Sequence, residues 1–246
     1  MRDLSSQARA FITVIVVSGA AVLISSLARC RFESWTEFLV LLVVALVASR
    51  LHVKLPGVNG TLSVNLPFIL VAVAQMNTAE DLLVGCLSTF VQCLPRSGQK
   101  FNWIRGIFNF ANMALAIGAT RLLYGSVALQ SVIPSHSLLL AVAAAGFYAV
   151  NSVPVAIIIG LTENKSALRA WVTMVQLSYP YFLASAGVAG VVLAATAHSG
   201  WQVPLLILPL MAGIFFSYRR YFSETALEQP QQKRASQSTT VAQAAS

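Results

Sequence analysis

The stretch LHVKLPGVNGTLSVNLPFILVAVAQM, residues 51–76, decides how the rest of the chain is read. Its two Pro, two Gly and two Asn interrupt a sequence that otherwise consists of long apolar runs. GVNG reads as a turn whose glycines permit positive φ, and Pro67 lies early in the following apolar run, where a missing N–H costs least. At 1.5 Å per residue, the run Val64–Met76 spans only about 20 Å, against a hydrocarbon layer of about 30 Å. Irregular backbone at membrane depth is tolerated only where protein or a water-filled cavity surrounds it. The stretch therefore predicts an inner loop feeding a short helix, which with the next apolar segment makes a hairpin packed inside a helical bundle.

Working outward, eight apolar segments stand out: Phe11–Leu27, Phe38–Ser49, Val64–Met76, Leu82–Leu94, Phe108–Leu129, Leu138–Leu161, Val175–Ala197 and Val203–Phe222. They fit a composition of 57% hydrophobic and 10% charged residues, where a soluble domain carries about 25% charged. The class is all-α, a polytopic integral membrane bundle over residues 1–222 with six to eight crossings, depending on whether segments three and four cross or form a re-entrant hairpin. From Ser223 to Ser246 the chain turns to Glu, Gln, Ser, Thr and Ala, which predicts a disordered cytoplasmic tail. Arg2 and Arg9 precede the first segment, and LARC at 27–30 resembles a lipoprotein cleavage box, but Arg29 stands where that box needs a small residue; the segment reads as a retained helix.

The basic residues flank the apolar runs, so the net charge of +8 speaks for topology and not for nucleic acid. Eight crossings with the N-terminus inside put Arg2, Arg9, Arg50, Lys54, Arg96, Lys100, Arg105, Lys165, Arg169, Arg219, Arg220, Lys233 and Arg234 on the inner side and Arg29, Arg31 and Arg121 outside. That asymmetry predicts both termini in the cytoplasm, and a hairpin at segments three and four leaves the sides unchanged. Arg96, Lys100, Trp103 and Arg105, interleaved with Phe101, Ile104 and Ile107, read as an interfacial helix on anionic headgroups.

Chemistry-bearing motifs are sparse. His52, His136 and His198 are scattered, no HExxH, GxSxG or P-loop pattern occurs, and Cys30, Cys86 and Cys93 lack metal-ligand spacing; the expectation is a protein without intrinsic enzyme activity, metal or cofactor. Glu80 and Asp81 in MNTAED read as first-turn acids of the fourth segment, with Thr78 as its cap, against a cation or ligand contact. The segments carry uncharged amides and hydroxyls: Asn65, Gln75, Ser88, Gln92, Asn109, Asn112 and Asn151. In hydrocarbon each needs a partner, so they face inward, either joining helices or lining a pocket for a small ligand. Pro154 follows Asn151 by three residues, which makes that turn a meeting place for a freed carbonyl and an amide. Small residues at spacing four, Ala141, Ala145 and Ala149, then Ala186, Gly190 and Ala194, predict close helix packing within the chain or between two copies.

Several stretches together carry a resemblance: LPGVNGTLSVNLPFILVAVA, AEDLLVGCLSTFVQ, IFNFANMALA (107–116), NSVPVAIIIGLTENKSALRAW (151–171), YPYFLASAGVAG (179–190) and SYRRYF (217–222). Over residues 10–222 the chain resembles the N-terminal multi-pass membrane domain that precedes GGDEF or HD-GYP output domains in bacterial cyclic-di-GMP signalling proteins. The resemblance implies a sensor-like domain of the bacterial inner membrane. Where such proteins continue into an output domain, this chain reads ETALEQPQQKRASQSTTVAQAAS, which implies a stand-alone relative of the membrane domain, signalling through a separate cytoplasmic partner, or a truncated product. A fainter resemblance, carried by the 51–76 loop and AEDLLVG, is to the substrate-binding membrane subunits of energy-coupling-factor vitamin transporters; it implies a binding subunit working with a coupling protein and an ATPase.

Overall fold

In a computed structural model of the chain, the residues described are 4–28, 34–54, 61–95, 101–163 and 166–199, together with Pro209, Ala212, Gly213, Phe216, Ser217 and Arg220. They form α1 (Ser6–Leu27), α2 (Trp35–Arg50), β1 (His52–Lys54), β2 (Thr61–Ser63), α3 (Leu66–Gln75), α4 (Thr78–Cys93), α5 (Trp103–Tyr124), α6 (Val127–Val132), α7 (His136–Glu163) and α8 (Ala167–Ser199). The first seven apolar segments of the sequence each correspond to a helix. The eighth, the tail, Cys30, Arg96 and Lys100 lie outside the described residues, apart from the six positions just named. Four helices, α1, α5, α7 and α8, are long and apolar enough to cross a membrane. The chain is a helical membrane protein.

Around the 51–76 stretch the structure both bears out and corrects the sequence reading. The short helix and its hairpin partner are present as α3 and α4. The entry is not a plain loop, however. His52, Val53 and Lys54 pair with Ser63, Leu62 and Thr61 in an antiparallel ladder, extended by Val64 N–H donating to Leu51 C=O at 3.1 Å. The two-stranded ladder satisfies backbone groups of these residues that a loop would leave open, and the GVNG turn expected at 57–60 lies outside the described residues. All residues from Leu66 to Val73 are buried, and α3 touches α2, α4, α5, α7 and α8. A helix that is apolar on every side belongs in a core, and α3 is the centre of this one.

Helix directions follow from the packing pairs. α1 and α5 run parallel, with Gly19 against Ala111 and Val22 against Gly118. α4 runs antiparallel to α5: Cys93 meets Asn109 at 3.4 Å near one end, and Asp81 meets Arg121 at 3.7 Å near the other. α7 is antiparallel to α5, and α8 to α7, through Gly146 against Leu123, Trp171 Nε1–H to Ser152 Oγ (3.0 Å), and Tyr148 with Ser178 (2.9 Å). One end of the bundle thus gathers the starts of α1, α5 and α8, with Arg9, Arg105 and Arg169, while the other holds Arg121.

Segment five ends earlier than its apolar run. Gly125 N–H donates to Arg121 C=O at 2.9 Å and closes α5, and Ser126 Oγ then accepts from Leu129 N–H at 3.4 Å to start the short, exposed α6. Trp103 and Arg105 lie in the exposed first turn of α5 itself, capped by Asn102, and not in a separate interfacial helix. Trp103 stacks edge-on with Phe101 at 4.6 Å.

Close helix approach rests on glycines that the four-residue stripes do not contain. A methyl group at Gly19 would overlap the backbone carbonyl of Ala111, so α1 and α5 meet backbone to backbone there. Ala141 and Ala145 are exposed and Ala149 is half-buried; the packing face of α7 is Leu140, Ala143, Ala144 and Phe147. Period four marks a face but not which way the face points. Gly19→Ala is expected to cost about 1–3 kcal/mol through overpacking. Gly187→Ala, with open space around its Cβ position, is expected to be neutral or to gain up to about 1 kcal/mol from helix propensity. Thermal unfolding in detergent compares the two.

Candidate functional site

At the end of the bundle away from Arg9, Arg105 and Arg169, a cavity of about 470 Å³ opens between four elements. Its lining comprises Gln75 at the end of α3, Tyr124 at the end of α5, His136, Ser137 and Leu140 at the start of α7, and Gly190, Leu193, Ala194 and Thr196 of α8. Leu140 and Leu193 supply apolar floor, and the amide, phenol, imidazole and hydroxyl groups supply donors and acceptors. Apolar walls with a few convergent polar groups are the usual make-up of a small-molecule site. Gly190 leaves space because its Cβ position has no neighbour within 4 Å.

The wall contributed by α3 is held from behind by Arg121. Its Nη1 donates to the carbonyl oxygens of Val73 and Met76, the latter at 2.6 Å, and so satisfies backbone groups that a helix C-terminus leaves open. A cation also suits the negative end of the α3 dipole. The same Nη1 lies 3.7 Å from Asp81 Oδ2, and the Asp81 side chain is wholly buried while Arg121 is about one-third exposed.

The turn between α3 and α4 is built by a capping box centred on Asn77, one residue before the Thr78 cap expected from the sequence. Asn77 Oδ1 accepts from Ala79 N–H (3.0 Å) and Glu80 N–H (3.1 Å), and Glu80 Oε2 accepts from Asn77 N–H at 3.1 Å. Glu80 therefore does the capping work predicted for it. Asp81 does not, since it turns into the bundle, where no side chain among the described residues hydrogen-bonds to its carboxyl. Removal from water pushes its carboxyl up to about 8, against the pull of Arg121 and of the Leu82 N–H and with a small push from Glu80.

No family model, curated protein or solved structure matches this chain.

The amides form separate helix-to-helix contacts. Asn65 Nδ2 donates to Ser88 Oγ at 2.9 Å, and the Ser88 hydroxyl in turn donates a hydrogen bond to Gly85 C=O at 2.9 Å. Asn109 Nδ2 points to Cys93 Sγ at 3.4 Å, and Gln92 is half-buried on the same helix as Ser88. Asn112 Nδ2 donates to Asn151 C=O at 2.8 Å and to Asn151 Oδ1 at 3.1 Å. The amide thus meets a carbonyl one turn before Pro154, at Asn151 and not at Val150, whose carbonyl the missing proline N–H frees. Of the seven polar candidates only Gln75 lines the cavity, and of the small-residue stripes Gly190 and Ala194 do. Tyr124, His136, Ser137, Thr196, Asp81 and Arg121 were missed as site residues. Arg121 carried a usable signal: it lies three residues before Tyr124, so both occupy one face at the end of an apolar helix.

Proposed function

We propose that this chain is a multi-pass protein of the bacterial inner membrane, with both termini cytoplasmic, that binds a small uncharged polar molecule and signals its presence to a separate cytoplasmic partner. The observation that carries the reading is the cavity at the bundle end opposite Arg9, Arg105 and Arg169. By the positive-inside tendency the cation-rich end is cytoplasmic, so the cavity opens to the outer face. Among the described residues its lining bears no carboxylate, lysine or arginine, which suits a ligand recognised by hydrogen bonds over one recognised by charge. Further support comes from the resemblance of residues 10–222 to membrane domains of cyclic-di-GMP signalling proteins. The lipid-facing surface of α1, with Val14, Val17 and Ile24 exposed, belongs in the bilayer.

A second reading, a binding subunit of a transporter, draws on the same outward cavity and on the buried α3–α4 hairpin beside it. Purification in mild detergent separates the two. The sensor reading expects native mass spectrometry to find one small neutral adduct and a cytoplasmic signalling protein bound through the C-terminal region. The transport reading expects a coupling protein with an ATPase. Spectra showing bare protein, together with no compound in a metabolite panel that raises its unfolding temperature, would overturn both.

A further inference from the structure

Asp81 stands apart from the cavity lining, yet its chemistry bears on it. The carboxyl is wholly buried, no side chain among the described residues hydrogen-bonds to it, and of backbone groups only the Leu82 N–H lies near enough to favour its charged form. The nearest cation, Arg121 Nη1, has two hydrogens, and both are engaged by the Val73 and Met76 carbonyls. Its 3.7 Å approach to Asp81 Oδ2 is therefore a charge contact without a hydrogen bond. An ionised carboxylate pulls the guanidinium toward itself and away from the end of α3, whereas a protonated carboxyl leaves it in place.

We propose that Asp81 is a proton-binding site whose occupancy sets how firmly Arg121 holds the C-terminal end of α3, and with it the Gln75 wall of the cavity. The link to the cavity rests on the binding function proposed above; the proton site itself does not. Among the groups facing Asp81, Arg121 comes from α5 and Glu80 from its own helix, and the buried Cys86 thiol lies one turn further along α4. α3 carries no titratable side chain. α2 brings only Glu37 in its first turn and Arg50 in its last, and α1 only Arg9 in its first turn; none of these contributes to the shift of Asp81. The carboxyl is raised to about 8 from an ordinary 3.8 because burial outweighs the pull of Arg121. The folded protein thus binds this proton more tightly than the unfolded chain does. The stability it contributes is full below 3.8, declines as pH rises, and is lost once pH passes about 8.

The chain contains two aspartates, Asp3 and Asp81, so aspartate-selective carbon-13 labelling of an Asp3→Asn variant isolates Asp81 for infrared titration in lipid vesicles. The expected result is a protonated-carboxyl band that disappears with a midpoint near 8 and is absent from Asp81→Asn. A spin label at Gln75→Cys, with the native cysteines replaced, should gain mobility above that midpoint, and Asp81→Asn should abolish the change. A midpoint in the ordinary range, below about 5, would overturn the proton site. A label insensitive to pH while the band titrates near 8 would overturn the coupling to α3. An empty cavity alters neither readout, so failure of the binding function remains distinguishable. Should Asp81→Asn fold poorly, Asp81→Glu serves instead, because the aspartate band must then vanish.

Discussion

Phe68→Ala is expected to cost about 3–5 kcal/mol of stability, among the largest effects of any single substitution in the described residues. Phe68 is fully buried at the start of a helix whose every residue from Leu66 to Val73 is buried. α3 is 10 residues long, too short to gain much from its own hydrogen bonds, so packing supplies nearly all that holds it. A cavity left by Phe68 cannot be filled from lipid, and five helices pack around α3. Leu122→Ala makes the contrast: Leu122 is 77% exposed, and its removal should change stability by less than about 0.5 kcal/mol. Unfolding in mixed micelles with increasing denaturing detergent measures both.

Arg121→Leu is expected to be the second severe substitution, at about 3 kcal/mol, from leaving two backbone carbonyls without their donor. The figure stays modest because Arg121 is itself about one-third exposed and because Asp81 already carries its proton below about 8, so no buried charge is left alone at neutral pH. Most of the loss then falls on the carbonyls of Val73 and Met76, which are left without a donor. Arg121→Lys should recover little, since one ammonium cannot reproduce the planar fork that reaches two carbonyls and a carboxylate together. Adding Asp81→Asn to Arg121→Leu should restore little at neutral pH, where the carboxyl is already uncharged, and the double-mutant cycle gives the coupling directly.

The helices were legible from hydropathy and length because a membrane bundle writes its elements as apolar runs. The central place of α3 was legible too. A run of 13 residues with no polar face, introduced by Pro and Gly, has nowhere to go but a core. That Asn112 and Asn151 face inward was legible because hydrocarbon forces an amide to find a partner, but their pairing with each other was not. The β1–β2 ladder was not, since three-residue strands carry no period. Nor was the outward turn of Ala141 and Ala145, because spacing fixes a stripe without fixing its neighbour. Arg121 read as a topological charge, and only the fold reveals that it caps α3 while facing Asp81. The cavity drew most of its lining from helix ends, where apolar periodicity says least.

The most direct test of the account is a tryptophan at Gly190, which would fill the space that this glycine leaves in the cavity wall without touching Arg121 or the amide pairs. Unfolding temperatures of the wild type and Gly190→Trp are compared across one panel of small neutral metabolites. The account predicts that at least one compound raises the wild-type temperature, that the shift grows with concentration, and that Gly190→Trp folds but loses the shift. A compound that stabilises both proteins equally, or a panel that stabilises neither, would contradict it.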